Sequence, residues 1–191
     1  MHKTRLEAFS DGVLAILITI MVLDLRAPHG AAWADLRPVL LPFLCYTLSF
    51  LMLGIYWNNH HHLMQAVQKV NGRVLWANMH LLFWLSLIPF LTSWVAENHF
   101  APLTVVLYGS VLWMAALAYY LLVRALLAHH GHGSALAHAI GSDRKGKVSL
   151  LIYTVAILVA CWVPLAAIAL IIVVGLIWLV PDLRIERALK N

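Results

Sequence analysis

The feature that most constrains this chain is a succession of long apolar runs. The first, FSDGVLAILITIMVLDL, covers Phe9–Leu25. Five more follow at about Val39–Trp57, Val74–Val95, Leu103–Val123, Val148–Val163 and Leu165–Val180. The first four approach the roughly 20 residues that a helix needs to cross a hydrocarbon core. Composition agrees: 63% of the 191 residues are hydrophobic and 11% are charged, where a soluble domain carries about a quarter charged. A single wetted globule cannot hide that much apolar surface. The pattern predicts an all-α integral membrane protein, residues 1–191 forming one domain with six transmembrane helices.

The last two runs are short and nearly fused. As one helix, Val148–Val180 would be about 50 Å long, more than a core of roughly 30 Å accommodates. Pro164 lies between them and can open a new helix, because its missing N–H is not needed there. The reading is a tight helical hairpin, with one long kinked helix as the alternative. Charge favours six spans with both termini in the cytoplasm and the chain in the cell membrane. Lys3, Arg5, Lys69, Arg73, Arg124, Arg144, Lys145, Lys147, Arg184, Arg187 and Lys190 then lie inside, and only Arg26 and Arg37 outside. This is the positive-inside bias of membrane proteins. The same basic residues sit at the ends of apolar runs and form no stripe with aromatics, so nucleic acid is not an expected partner. The first run starts at once, carries Asp11 and lacks a small-residue cleavage site, unlike a signal peptide. Cys45 and Cys161 lie within apolar runs and read as free thiols.

A carboxylate at the threshold of an apolar helix is costly and therefore informative. At about 100° per residue, Gly12, Thr19, Ile20 and Leu23 fall within roughly 60° of Ile16. Ser10 and Asp11 fall about 120° and 140° away on opposite sides. The acid and the stripe therefore look in different directions. Asp11 could face a water-filled pore, which would turn the stripe away from it. The preferred arrangement turns Ser10 and Asp11 toward the other helices, with His60, His61, His62, Asn78 and His80 as candidate donors. Gly12 would permit close backbone approach. The stripe then faces lipid, ordinary packing or a conduit, and the pattern alone does not choose.

The tract His129-His130-Gly-His132, with His138 beyond, has the composition of a metal-binding loop. It lacks the cysteines and the catalytic glutamate of zinc enzymes, so a solvated loop is the plainer reading. His60–His62 have no neighbouring carboxylate in sequence to complete a metal site, and no cofactor is expected. Pro89 either kinks the third run or marks where packing tolerates a kink. Several tryptophans near run ends fit an interfacial belt. Two rival functions stand at this point. One is a secondary transporter or proton-coupled exchanger using Asp11 and buried histidines. The other is a membrane metalloenzyme or haem protein using the histidines.

The string Arg5-Leu-Glu-Ala-Phe9-Ser10-Asp11-Gly12, followed by Ile16 and Thr19, resembles the signature of the transmembrane protein 175 family. These are potassium channels of endosomes and lysosomes, with bacterial relatives. Weaker likeness extends to YWNNHHHL (Tyr56–Leu63) and LIPFLTSW (Leu87–Trp94). Animal members carry the signature twice in a double-length chain; here it occurs once, as in bacterial members. The resemblance implies a homotetramer of six-helix units around a central pore, permeable to K+ and related monovalent cations. It implies that the first helix lines the pore, with Ile16 as the hydrophobic constriction, Ile20 and Leu23 as further apolar rings and Thr19 as a hydroxyl layer. Arg5, Phe9, Ser10, Asp11, Gly12, His61, His62 and Asn78 would then form the motif and the network that holds this helix. Asp24 and Asp35, on the predicted outer side, would raise the local cation concentration.

Overall fold

The computed structural model describes residues 3–67, 69–131 and 144–179, and the described chain is almost wholly helical. Among the described residues, seven α-helices follow in order: α1 (Lys3–Ile20), α2 (Arg37–Gln65), α3 (Gly72–Ser86), α4 (Ile88–Glu97), α5 (Pro102–His130), α6 (Arg144–Ala160) and α7 (Pro164–Leu179). Two 3₁₀ segments, Met21–Asp24 and Trp33–Leu36, bracket the first loop. Among the described residues, four helical segments are long and apolar enough to cross a bilayer: Lys3–Asp24, Trp33–Gln65, Gly72–Glu97 and Pro102–His130. Pro164–Leu179 is a shorter apolar helix.

Local chemistry explains the boundaries. α2 and α5 run beyond the apolar stretches Val39–Trp57 and Leu103–Val123, because polar continuations such as NNHHHLMQ and RALLAHH do not break a helix. Pro38 and Pro102 occupy their first turns, where no intrahelical N–H bond is lost. Asn71 caps α3, its side chain accepting from the Val74 amide at 3.0 Å. The third apolar run is not one continuous helix: it breaks at Leu87, and Pro89 lies in the first turn of α4. The chain reverses between Ala160 and Pro164. Trp178, near the end of α7, donates its indole N–H to Ser149 Oγ, near the start of α6, at 2.7 Å. The two helices are therefore antiparallel partners, not one long helix. Cys45 is buried and Cys161 is exposed; both are free. Cys161 thus belongs to the turn and not to an apolar span.

α5 packs against α3, α4, α6 and α7, while α1 rests on α2 and α3. Leu53, Leu81, Leu85, Ile88, Leu112 and Leu122 fill the shared core. A hydroxyl cluster ties α2, α4 and α5 together. Thr92 donates to Ser49 Oγ at 2.6 Å, and Ser49 lies 2.9 Å from the Tyr108 hydroxyl. Such pairs satisfy polar groups that hydrocarbon cannot.

Candidate functional site

α1 presents three distinct faces, and each follows from residue spacing. Leu6, Ser10, Leu14, Leu17 and Met21 are buried against the bundle, at the three- and four-residue intervals of one helix side. Lys3, Glu7 and Asp11 recur every four residues on a second side and meet α2 as a ladder. Lys3 Nζ donates to the Met64 carbonyl at 3.0 Å, at the end of α2. Glu7 Oε1 lies 3.6 Å from His61 Nδ1. The Trp57 indole donates to Asp11 Oδ1 at 3.1 Å. The rungs descend α2 as they climb α1, so the two helices run antiparallel. Trp57 also stacks on His61, with centroids 5.9 Å apart, and His61 Nε2 meets Gln65 Nε2 at 2.9 Å.

Ser10 lies deeper, with no solvent exposure. Its hydroxyl donates to the Leu6 carbonyl at 2.8 Å and accepts from Asn78 Nδ2 at 2.9 Å. Asn78 Oδ1 lies 2.8 Å from His60 Nε2. Because the Asn78 amide nitrogen faces Ser10, its oxygen faces His60, and the imidazole carries its proton on Nε2. His60 Nδ1 is then an acceptor, and it is buried without a hydrogen-bond partner among the described residues. This relay links α1, α3 and α2 below the ladder.

The third face is open. Ile16 is 62% exposed, Ile20 46% and Leu23 76%. Thr19 lies among them, and its hydroxyl donates to the Ala15 carbonyl at 2.9 Å, 3.1 Å from the Ile16 carbonyl. That donor is spent on its own helix, so the oxygen lone pairs point away from it. Beyond Leu23, Asp24 Oδ2 accepts from the Ser93 hydroxyl at 2.6 Å and pins that end of the face to α4.

The expected network is therefore partly rearranged. Ser10 and Asn78 do meet, but the histidine that reaches them is His60. His61 turns toward Glu7, and His62 is half-buried with its ring 5.9 Å from that of His61. Consecutive helical residues diverge by about 100°, so only one of three adjacent histidines can face α3. The partner of Asp11 is Trp57, none of the anticipated histidines or Asn78. Arg5 and Phe9 are exposed on the open side. A Cβ added at Gly12 would meet nothing within 4 Å, so this glycine does not serve close backbone approach within the chain. Lys3, Glu7 and Trp57 lie outside the expected network, although the four-residue spacing of Lys3, Glu7 and Asp11 places them on one helix side. His80 takes a local role, accepting from the Trp84 indole at 2.9 Å. Of the histidine tract, His129 meets Asn71 at 3.1 Å, and His132 and His138 lie outside the described residues, as do Val180, Arg184, Arg187 and Lys190. No group of three or more histidine, cysteine, aspartate or glutamate side chains is placed to hold a metal among the described residues.

Residues 5–89 match the family model described as endosomal/lysosomal potassium channel TMEM175. A Chryseobacterium protein named potassium channel HX13_20290 is 53% identical over the whole of both chains. A Streptomyces collinus protein named potassium channel B446_29190 is 37% identical over 49% of this chain and 47% of its own length. Among solved structures, the crystal structure of a lysosomal potassium-selective channel TMEM175 homolog from Chamaesiphon minutus superposes with a TM-score of 0.79. That match covers 94% of this chain and 97% of the other at 24% identity.

Proposed function

Because the chain belongs to the TMEM175 family, whose members are ion channels and not enzymes, we propose that it is a potassium-permeable, modestly selective cation channel. Four copies assemble about a symmetry axis, each with six membrane crossings, in the cell membrane with both termini cytoplasmic. A single α1 cannot enclose a conduit, whereas a closed ring of four can. In this reading α6 and α7 provide the fifth and sixth crossings.

The observation that carries the proposal is the rotational setting of α1. Its polar ladder and its buried leucine face are both occupied by the chain's own helices. What remains is a strip of Ile16, Thr19, Ile20 and Leu23. Converged on an axis, four Ile16 side chains make an apolar ring that blocks ions by dewetting when narrow. Widening of that ring admits a partly hydrated cation. The Thr19 oxygens, already turned outward, offer acceptors to a dehydrating ion. Potassium releases its water more readily than sodium, and a single hydroxyl layer without stacked carbonyl rings supports only modest preference. Asp11, Ser10 and the relay behind them fix the helix and do not touch the ion. Asp24 is held by Ser93 near the predicted outer mouth, where a negative charge concentrates cations.

Planar-bilayer recording of Ile16→Asn against the unaltered channel tests the reading. A polar ring at the constriction gives constitutive potassium current at a tetrameric elution volume. Unchanged current and an unchanged reversal potential between potassium and sodium refute the placement of Ile16.

A further inference from the structure

The open strip of α1 extends well below Ile16. Arg5, Ala8, Phe9, Gly12 and Ala15 are all exposed, at the three- and four-residue steps of one helix side. Arg5 stands eleven residues before Ile16. That is about three turns, so the two positions lie within roughly 20° of each other around α1 and about 17 Å apart along it. Any setting of α1 that turns Ile16 toward an axis turns Arg5 toward the same axis.

Charge at this end of the helix is sorted by side. Lys3 is spent on the Met64 carbonyl, Glu7 lies beside His61, and Asp11 accepts from Trp57. All three meet α2 and lie about 120–160° around the helix from Arg5. Arg5 itself makes no hydrogen bond or ion pair among the described residues, and its guanidinium is charged at any working pH. At the far end of the strip the exposed charge is Asp24, of opposite sign. The strip is therefore apolar in its middle, cationic at one end and anionic at the other.

We propose that Arg5 lines the inner entrance of the conduit, where four copies form a cationic ring that thins the local supply of permeant cations and makes inward current exceed outward current. This rests on the channel reading and the topology proposed above. Four unit charges about 8 Å from an axis in water, screened over about 10 Å at 0.1 M salt, lower the concentration of a monovalent cation there roughly fivefold. Glu7 and Asp11, across the helix, offset part of that. At 1 M salt screening acts over about 3 Å, and the same ring changes the concentration by less than about 1.5-fold. Asp24 acts in the opposite sense at the other mouth, so a cation enters more readily from the outside than from the inside.

Single-channel recording of the purified full chain in planar bilayers, in symmetric potassium chloride, reads the ring directly. At 0.1 M the unaltered channel passes unequal currents at opposite voltages, and the inequality fades at 1 M. Arg5→Gln raises the smaller current roughly two- to fivefold at 0.1 M and leaves it nearly unchanged at 1 M. Arg5→Cys, in a Cys161→Ser background that removes the exposed thiol of the α6–α7 turn, allows the charge to be set after assembly. Perfusion of the inner side with a thiosulfonate carrying ethyltrimethylammonium returns the smaller current to its unaltered level; one carrying ethylsulfonate raises it further. Modification that leaves the current unchanged overturns the inference. So does an Arg5→Gln channel that keeps the inequality but loses its tetrameric elution, since Arg5 would then tie neighbouring subunits together. If no variant at position 5 assembles, the unaltered channel decides: an inequality that persists at 1 M overturns the ring, and one that vanishes supports it. Absence of any potassium current from the unaltered chain sinks the channel reading and this inference with it, whereas a normal current indifferent to the charge at position 5 sinks this inference alone.

Discussion

Asn78→Leu is the sharpest perturbation of the buried relay. Asn78 has no solvent exposure, and it is the middle member of Ser10–Asn78–His60. Leucine of similar size fills the volume but makes neither bond. Ser10 keeps its bond to the Leu6 carbonyl, so its hydrogen stays satisfied and the loss there is a single accepted bond. His60 fares worse. Its Nδ1 already lacks a partner among the described residues, and removal of Asn78 orphans Nε2–H as well. An orphaned buried donor costs about 1–3 kcal/mol in water-based reference states. Interhelical hydrogen bonds in membranes average about 0.6 kcal/mol, because the unfolded chain in a micelle also finds partners. The expected destabilisation is therefore about 1–2 kcal/mol. The double variant His60→Leu/Asn78→Leu removes both polar ends and should recover roughly 1 kcal/mol relative to the sum of the single changes. Reversible unfolding in mixed micelles titrated with dodecyl sulfate, followed by far-UV circular dichroism, measures all four corners of the cycle. Strictly additive single and double changes would refute the relay as a coupled unit.

Two further changes probe the other faces of α1. Lys3→Met removes the cation at the carboxyl end of α2 and should lower stability by roughly 0.3–1 kcal/mol at low salt. The same micelle titration should show that difference shrinking at high salt; a salt-independent loss would count against an electrostatic origin. Gly12→Leu places a side chain where the chain itself offers open space. Subunit stability should hold or rise, since leucine is the better helix former by about 0.5–1 kcal/mol. Four such side chains beside the Ile16 ring should reduce potassium flux into liposomes several-fold. A destabilised subunit, or unaltered flux, would mean that Gly12 does not face the conduit.

How much of this was legible beforehand differs from one element to the next, for physical reasons. Period and hydropathy mark where α1, α2 and α5 lie, because apolar runs of bilayer length allow few alternatives. They miss the polar ends of α2 and α5, since helix propensity does not stop where hydropathy does. Pro89 and Pro164 are equally conspicuous in the sequence, yet one sits at a simple break between α3 and α4 and the other after a full reversal. The distinction came from length: Val148–Val180 is too long for one crossing. The open strip of α1 was legible because helical geometry is local. The partner of Asp11 was not, since which of Trp57, His60 and His61 faces which helix depends on how α2 is rotated in the bundle. That rotation is set by packing from Cys45 to Met64, and no local period reports it.

The two polar systems on α1 differ in depth, and that difference bears on how the helix is held. The ladder contacts are half-exposed: His61 and Glu7 side chains are 36% and 21% accessible, and each such pair contributes little alone. Their value is directional, because three rungs at four-residue spacing cannot all be kept if α1 turns by one residue, or about 100°. The relay is fully buried and energetically stiffer, but Ser10 is a single point about which the helix could still tilt. Asp24–Ser93 adds a third anchor at the opposite end. A helix fixed near Lys3, at Ser10 and at Asp24 keeps one rotational setting over its length while its middle, from Gly12 to Ile20, has no polar tie to a neighbouring helix among the described side chains. If four copies converge as proposed, widening a ring at Ile16 would require bending between anchors and would leave all three intact. Rotation of α1 as a rigid rod would break the ladder first. Of the two motions, bending is the one this arrangement of side chains favours.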